Sequence, residues 1–300
     1  MKDLKDIRDD QIRVVGEESS ENKSSRNMYI IVSLIAIVVI GVVMLLTLNN
    51  KKVSEQQMVE PSLFEPEVVA LPEEKPEKPE RIGSKVELSE TGFVEIQDTT
   101  INDVPIKIYI PHNASMSLHI GKLNRADTTI IYAAQAADVR ADNGGIVGAF
   151  VLKGEPKAWG LSKRGFCASI GGNITIGVED NSPLFEEATE TEGYFFRQYP
   201  LVKDGAVVEN EIKTKSVRRS ICDRNGEIFM VESLTKESFH DFSQMLVDLG
   251  VDQAIYLVGS SSYGWAVDEN GQTHEFGEDL YYKSKKKIPR NISYLVWRKN

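Results

Sequence analysis

Gly259-Ser260-Ser261-Ser262 places three adjacent hydroxyls directly after the apolar run Ala254–Val258. Serine in such a cluster invites a nucleophilic reading, acyl transfer from an activated hydroxyl. The strand-to-helix elbow that carries out that chemistry needs G-x-S-x-G with a helix immediately behind it. Tyr263 occupies the second glycine position, and Trp265-Ala266-Val267 followed by Asp268-Glu269-Asn270-Gly271 reads as strand and turn, so the serine-hydrolase reading fails. A small, flexible, polar segment at the carboxyl end of a strand is instead a place for a ligand. Two charged residues upstream also stand at strand ends and are types that a core does not accept alone: Arg219 and Glu232.

The elements that must position these groups are legible around them. Asp223-Arg224-Asn225-Gly226 is a turn signal that opens a strand running to Ser233. Phe239, Phe242, Leu246 and Leu249 recur at helical spacing, and Gly250 is the expected stop, which predicts a helix over 237–249. Ala254–Val258 then has the length and composition of a buried strand. Upstream, Gly92–Ile96 and Val104–Ile110 alternate on either side of Asn102-Asp103 and predict a hairpin. Residues 146–178 are rich in short apolar runs and glycines, as in a meander, with Gly171-Gly172 as a tight turn. The expectation is a single α+β domain over residues 86–300, rich in β-sheet, with helices packed on it.

This block resembles the phosphodiester glycosidase domain family. There, an arginine precedes a strand, an acid ends it, a helix closes in Leu-Gly, and a further strand runs into Asp-Gly-Gly-Gly-Ser. Arg219, Glu232, Leu249-Gly250 and Gly259-Ser260-Ser261 stand at those landmarks. Asn143-Gly144-Gly145 matches an Asn-Gly-Gly that follows an early strand in the family, Asp204-Gly205 matches an Asp-Gly turn, and residues 288–296 match its closing strand. The resemblance extends over Ile130–Trp297. It departs at Val258, where the family has an aspartate, and at Ser260 and Ser261, which replace glycines.

The resemblance implies hydrolysis of a sugar-1-phosphodiester, with Glu232 as the catalytic carboxylate and Asp142 as the second one that glycosidic chemistry commonly requires. It implies that Arg219 holds the phosphate, while Asn143, Gly144, Gly145 and the segment Gly259, Ser260, Ser261 and Ser262 cradle the ligand. It also predicts that these segments converge on one cleft. The alternative is a catalytically degenerate envelope domain that binds a glycan or a protein, because valine at 258 transfers no proton and binds no metal. No cofactor is named by the sequence.

Other constellations say less. Arg197 lies among Tyr194, Phe195, Phe196 and Tyr199, and two readings stand for it: contact with an anionic ligand, or capping of the acidic loop that contains Glu186, Glu187, Glu190 and Glu192. Cys167 and Cys222, the two cysteines of the chain, are too few for a zinc site and form either one disulfide or two isolated thiols. The Asp-x-Asn-Gly stretches at Asp223 and Asp268 lack the remaining ligands of a calcium loop and read as hairpin turns, so no metal site is expected. A net charge of −10, with Lys285-Lys286-Lys287 as the one short basic cluster, argues against nucleic acid.

The N-terminal part is not globular. Residues 1–27 form a polar tail. Residues 28–48, MYIIVSLIAIVVIGVVMLLTL, are free of charge and span about 30 Å as a helix, the thickness of a bilayer core. They predict an uncleaved signal anchor, with the short tail inside and the domain outside the cytoplasm, which is the periplasm if the cell is Gram-negative. Residues 49–85 form a spacer interrupted by Pro61, Pro66, Pro72, Pro76 and Pro79, which keeps it extended. The partners expected are therefore a membrane and a sugar-phosphate or glycan ligand.

Overall fold

The computed structural model describes residues 80–279 and 289–300. The tail, the apolar segment 28–48, most of the spacer and the Lys285–Lys287 cluster lie outside the described residues. No helix among the described residues is long and apolar enough to cross a membrane.

In chain order the first strands are β1 Phe93–Ile101, β2 Val104–His112, β3 Ala114–Ile120, β4 Ile130–Gln135, β5 Ala149–Leu152 and β6 Glu155–Trp159. β7 Gly165–Ile170, β8 Asn173–Val178, helix α1 Leu184–Glu190, β9 Tyr194–Gln198, β10 Pro200–Lys203 and β11 Ala206–Val207 follow. The chain continues with β12 Arg219–Arg224, β13 Glu227–Ser233, helix α2 Phe239–Leu249, β14 Gln253–Leu257, β15 Gly264–Val267, β16 Thr273–Phe276 and β17 Ser293–Lys299. They form three sheets, ordered β1-β2-β13-β12-β14-β10-β11, β16-β15-β4-β17-β3 and β6-β5-β9-β7-β8.

The α+β expectation is corrected here. Strand accounts for 47% of the described residues and helix for 8%, and the three sheets are antiparallel. The reason lies in the connections. Most sequence neighbours are joined by tight turns such as Asn102-Asp103, Asp204-Gly205 and Asn225-Gly226, all at positive φ, which hairpins require. Even β13-α2-β14 does not make an adjacent parallel pair, because β12 lies between the two strands and pairs antiparallel with both.

Period-two alternation decides what each sheet faces. In the seven-stranded sheet, Tyr109, Ile221, Met230, Ile255 and Leu257 face a core shared with residues of the other two sheets, including Tyr132, Phe150, Phe196 and Leu295. Their neighbours Ile108, Ile110, Cys222, Phe229, Val231 and Ala254 face the other way, onto Phe239, Phe242, Met245 and Leu246 of α2. Ser238 caps α2 by accepting the Asp241 amide, and Gly250 ends it in the left-handed conformation. The shorter α1 covers the outer face of the β6-β5-β9-β7-β8 sheet through Ala188, Leu184 and Phe185.

From Arg81 the chain is fastened to the sheet: the amides of Ile82 and Gly83 donate to the Glu227 carboxylate, at 2.7 and 2.9 Å. The Ser84 amide donates to Glu95 at 2.8 Å.

Candidate functional site

Arg219 and Glu232 face each other across β12 and β13 as register partners. Nε and Nη2 of Arg219 both donate to Glu232 Oε1, at 3.1 and 2.8 Å, and the Tyr109 hydroxyl donates to Oε2 at 3.0 Å. Nη1 donates to the carbonyls of Val258, at 3.2 Å, and Ser262, at 2.7 Å. The Phe276 ring covers the guanidinium, its centroid 4.5 Å from Cζ. Arg219 is 1% exposed and Glu232 6%. Burial, and then the Glu232 charge, push the Tyr109 phenol far above its ordinary range, so it stays a donor. The two charges thus satisfy each other and the backbone of the 258–262 turn in a closed interior.

That turn is built against the same pair. Its Gly259 amide donates to the Tyr256 hydroxyl at 2.9 Å, and the Ser260 amide to Val217 O at 2.8 Å. A Cβ at Gly259 would lie 2.2 Å from Val217 O, so only glycine fits. Ser260, with φ 55°, holds the left-handed backbone that a glycine adopts more easily. Ser262 Oγ donates to Gln135 Oε1 at 3.1 Å, and the Val258 amide donates to Gln135 O at 3.0 Å. Gln135 was not among the candidate residues, although its signal resembles that of Glu232: a polar residue closing the apolar run IIYAAQ.

Asn143 lies on a hairpin of its own. Val139 and Ile146 bridge, and residues 140–145 form the tip of that hairpin, where Gly144 has φ 69°. Asn143 Oδ1 accepts the Gly145 amide at 2.8 Å, and Gly144 O accepts from Asn291 Nδ2 at 2.8 Å. Asp142 is exposed and binds Arg140, whose hydrogen bond holds the Asp142 carboxyl below the usual range. No hydrogen bond among the described residues joins this tip to Arg219, Glu232 or the 259–262 turn. Arg219 thus binds Glu232 and the carbonyls of Val258 and Ser262 directly, while Asp142, Asn143, Gly144 and Gly145 lie on the hairpin closed by Val139 and Ile146.

At the base of the hairpin lies a polar group that the sequence did not advertise. Lys163 is 4% exposed; its Nζ contacts the Asp138 carboxylate and donates to Gln198 Oε1 at 2.7 Å. It also stands 4.3 Å from the Tyr199 ring centroid. Gln198 Nε2 reaches Ala136 O at 3.3 Å and Asp138 at 3.2 Å. Burial lowers the Lys163 pKa, and the Asp138 charge opposes that shift. Within Ser162-Lys163-Arg164 the lysine reads as a surface residue, and only the fold turns it inward.

Arg197 alternates with Gln198 on β9. Its Nη1 donates to the carbonyls of Lys163 and Glu179, at 2.8 and 3.0 Å, and its Nη2 to Asp180 O at 2.8 Å. It forms part of a cleft of about 500 Å³ lined also by Trp159, Leu161, Ser182, Phe185 and Glu186. Another cleft, of about 610 Å³, is lined by Glu95, Asp98, Lys107, Asp268 and His274. Three of its carboxylates are paired: Glu95 with His112, Asp98 with Lys107 and Asp268 with His274. No group of three or more metal-ligating side chains occurs among the described residues. Cys167 and Cys222 are free, buried thiols, and burial pushes the Cys222 pKa up to about 12.

No family model matches the chain, and no curated protein matches it. Among solved structures, it is similar to the zebrafish N-acetylglucosamine-1-phosphodiester alpha-N-acetylglucosaminidase catalytic domain auto-inhibited by its pro-peptide. That likeness has a TM-score of 0.48 at 15% identity and covers 74% of this chain and 86% of that one. A hypothetical protein from Synechocystis is similar with a TM-score of 0.46 at 13% identity, over 69% of this chain and 62% of that one. Both are weak likenesses of fold.

Proposed function

We propose that the domain is a non-hydrolytic, glycan-binding module of glycosidase-like fold, displayed outside the cytoplasm by a single N-terminal membrane span. The observation that carries the non-hydrolytic part is the closure of Arg219 on Glu232 and on the carbonyls of Val258 and Ser262. Glycoside hydrolysis commonly takes two carboxylates flanking the bond, one of them able to exchange a proton with the leaving oxygen. Glu232 is buried under Tyr109 and Arg219, Asp142 is engaged by Arg140 on a separate hairpin, and residue 258 is valine. What remains of such a site is its framework.

The apolar, charge-free segment 28–48 supports the anchor, and a glycan ligand suits a domain held at a cell surface. The test is hydrolysis of a panel of sugar-1-phosphodiesters by the purified full chain. No release above a buffer blank is expected. Turnover that disappears in Glu232→Gln would establish the hydrolase instead. A reporter fused at Asn300 should be active outside the cytoplasm and inactive if that end stays inside.

A further inference from the structure

We propose that the cleft between Trp159 and Glu186 is a binding site for a neutral pyranose ring, stacked on Trp159 with its hydroxyls bridging Arg197 and Glu186. Trp159 ends the edge strand β6 and is 67% exposed, and Leu161, two residues on, is 63% exposed. Together with half-buried Phe185 and exposed Pro183 they give the cleft apolar walls. The polar groups are of the opposite kind. Arg197 is 2% exposed, yet only three of its five N–H groups are used, all on backbone carbonyls. Its Nε–H and second Nη2–H have no acceptor among the described residues, and no carboxylate there makes a salt bridge with it. The Nε atom is not sealed from solvent, so a ligand hydroxyl entering the cleft can replace water on these two donors.

The ligand class follows from charge. Of the carboxylates that act on Arg197 through space, Glu186 lines the cleft and Asp180 is paired with Arg164, so an anion entering the cleft would meet the Glu186 charge as well as the guanidinium. A neutral sugar meets no such repulsion: its hydroxyls accept from Arg197 and donate to exposed Glu186, while its C–H face covers the indole. Arg197 and Trp159 come from β9 and β6 of one sheet and Glu186 from α1, the helix that covers it, so the bracket is fixed by the fold.

The inference rests on the glycan-binding reading, and the two fail separately: turnover of phosphodiesters would remove the non-hydrolytic claim without touching this cleft. The chain has three tryptophans, and Trp265 and Trp297 are each 5% exposed, so acrylamide quenching reports mainly on Trp159. The test uses the full chain in a detergent without a sugar headgroup. Chitotriose, maltotriose and laminaritriose are each added to about 10 mM, the range in which a small half-open cleft binds. At least one trisaccharide should protect the quenchable tryptophan and give a saturation-transfer NMR signal. That signal should disappear in Trp159→Ala and weaken roughly three- to tenfold in Glu186→Gln, the change from a charge-assisted to a neutral hydrogen bond. Protection equal in the parent and in Glu186→Gln would overturn the hydroxyl bracket. Absence of protection by all three sugars would overturn the site, as would quenching that falls with protein concentration alone, which would mark the face as a contact between copies.

Discussion

At the scale of the residue, the turn at 259–262 shows how a ligand-type motif becomes part of a core. Gly259 has no room for a Cβ against Val217 O, whereas Ser260 is strained by its own side chain at φ 55°. The two positions should therefore respond oppositely. Gly259→Ala should lower stability by about 1–3 kcal/mol, the ordinary cost of overpacking. Ser260→Gly should be neutral or stabilise by up to about 1 kcal/mol, since relief of the left-handed strain outweighs the added chain entropy of glycine. Urea denaturation of both variants checks this, and a destabilising Ser260→Gly would show that the serine side chain holds the turn. The importance of these residues was legible in the sequence because small polar groups followed a buried strand. Their closure was not, because it depends on Phe276 and Gln135, brought in from the β16-β15-β4-β17-β3 sheet.

At the scale of the element, α2 was legible from its apolar spacing and its caps, while the layer it joins was not. Periodicity identifies strands and helices but not which strand lies beside which, and β12 separates the two strands that flank α2 in sequence. Phe242 is fully buried between α2 and the seven-stranded sheet, so Phe242→Ala should cost about 3–5 kcal/mol. A loss below about 1 kcal/mol would mean that the helix does not depend on this face. The strap Arg81–Ser84 is held by Glu227 and Glu95. Burial alone would raise the Glu95 carboxyl, but hydrogen bonds from the Ser84 amide, Gln97, His112 and the Ser84 hydroxyl outweigh it and hold the carboxyl below its ordinary range. With a depressed folded-state value, the stability Glu95 contributes is present above the unfolded value and is lost as pH falls through the lower folded one. The Ser84 amide resonance should accordingly titrate with a midpoint below that of an exposed glutamate. A midpoint at or above that value would contradict the strap's attachment through Glu95.

At the scale of the whole molecule, three antiparallel sheets share one core, and the polar residues a family resemblance would place in a cleft lie inside that core. Arg219, Glu232 and the 259–262 turn, singled out in the sequence by their places at strand ends, meet in the structure. The resemblance could not say whether they open to solvent, because that depends on packing by Tyr109 and Phe276 across sheets. The central claim is that Arg219 and Glu232 form a structural pair, and a stability cycle tests it most directly. Arg219→Met leaves a carboxylate buried without its cation and should cost about 3–5 kcal/mol in urea denaturation. Adding Glu232→Leu removes that orphan charge and should restore at least about 1 kcal/mol, a strongly non-additive result. If Arg219→Met costs less than about 1 kcal/mol and the two substitutions simply add, the pair is not the closed staple described here, and its charges are free to face a ligand.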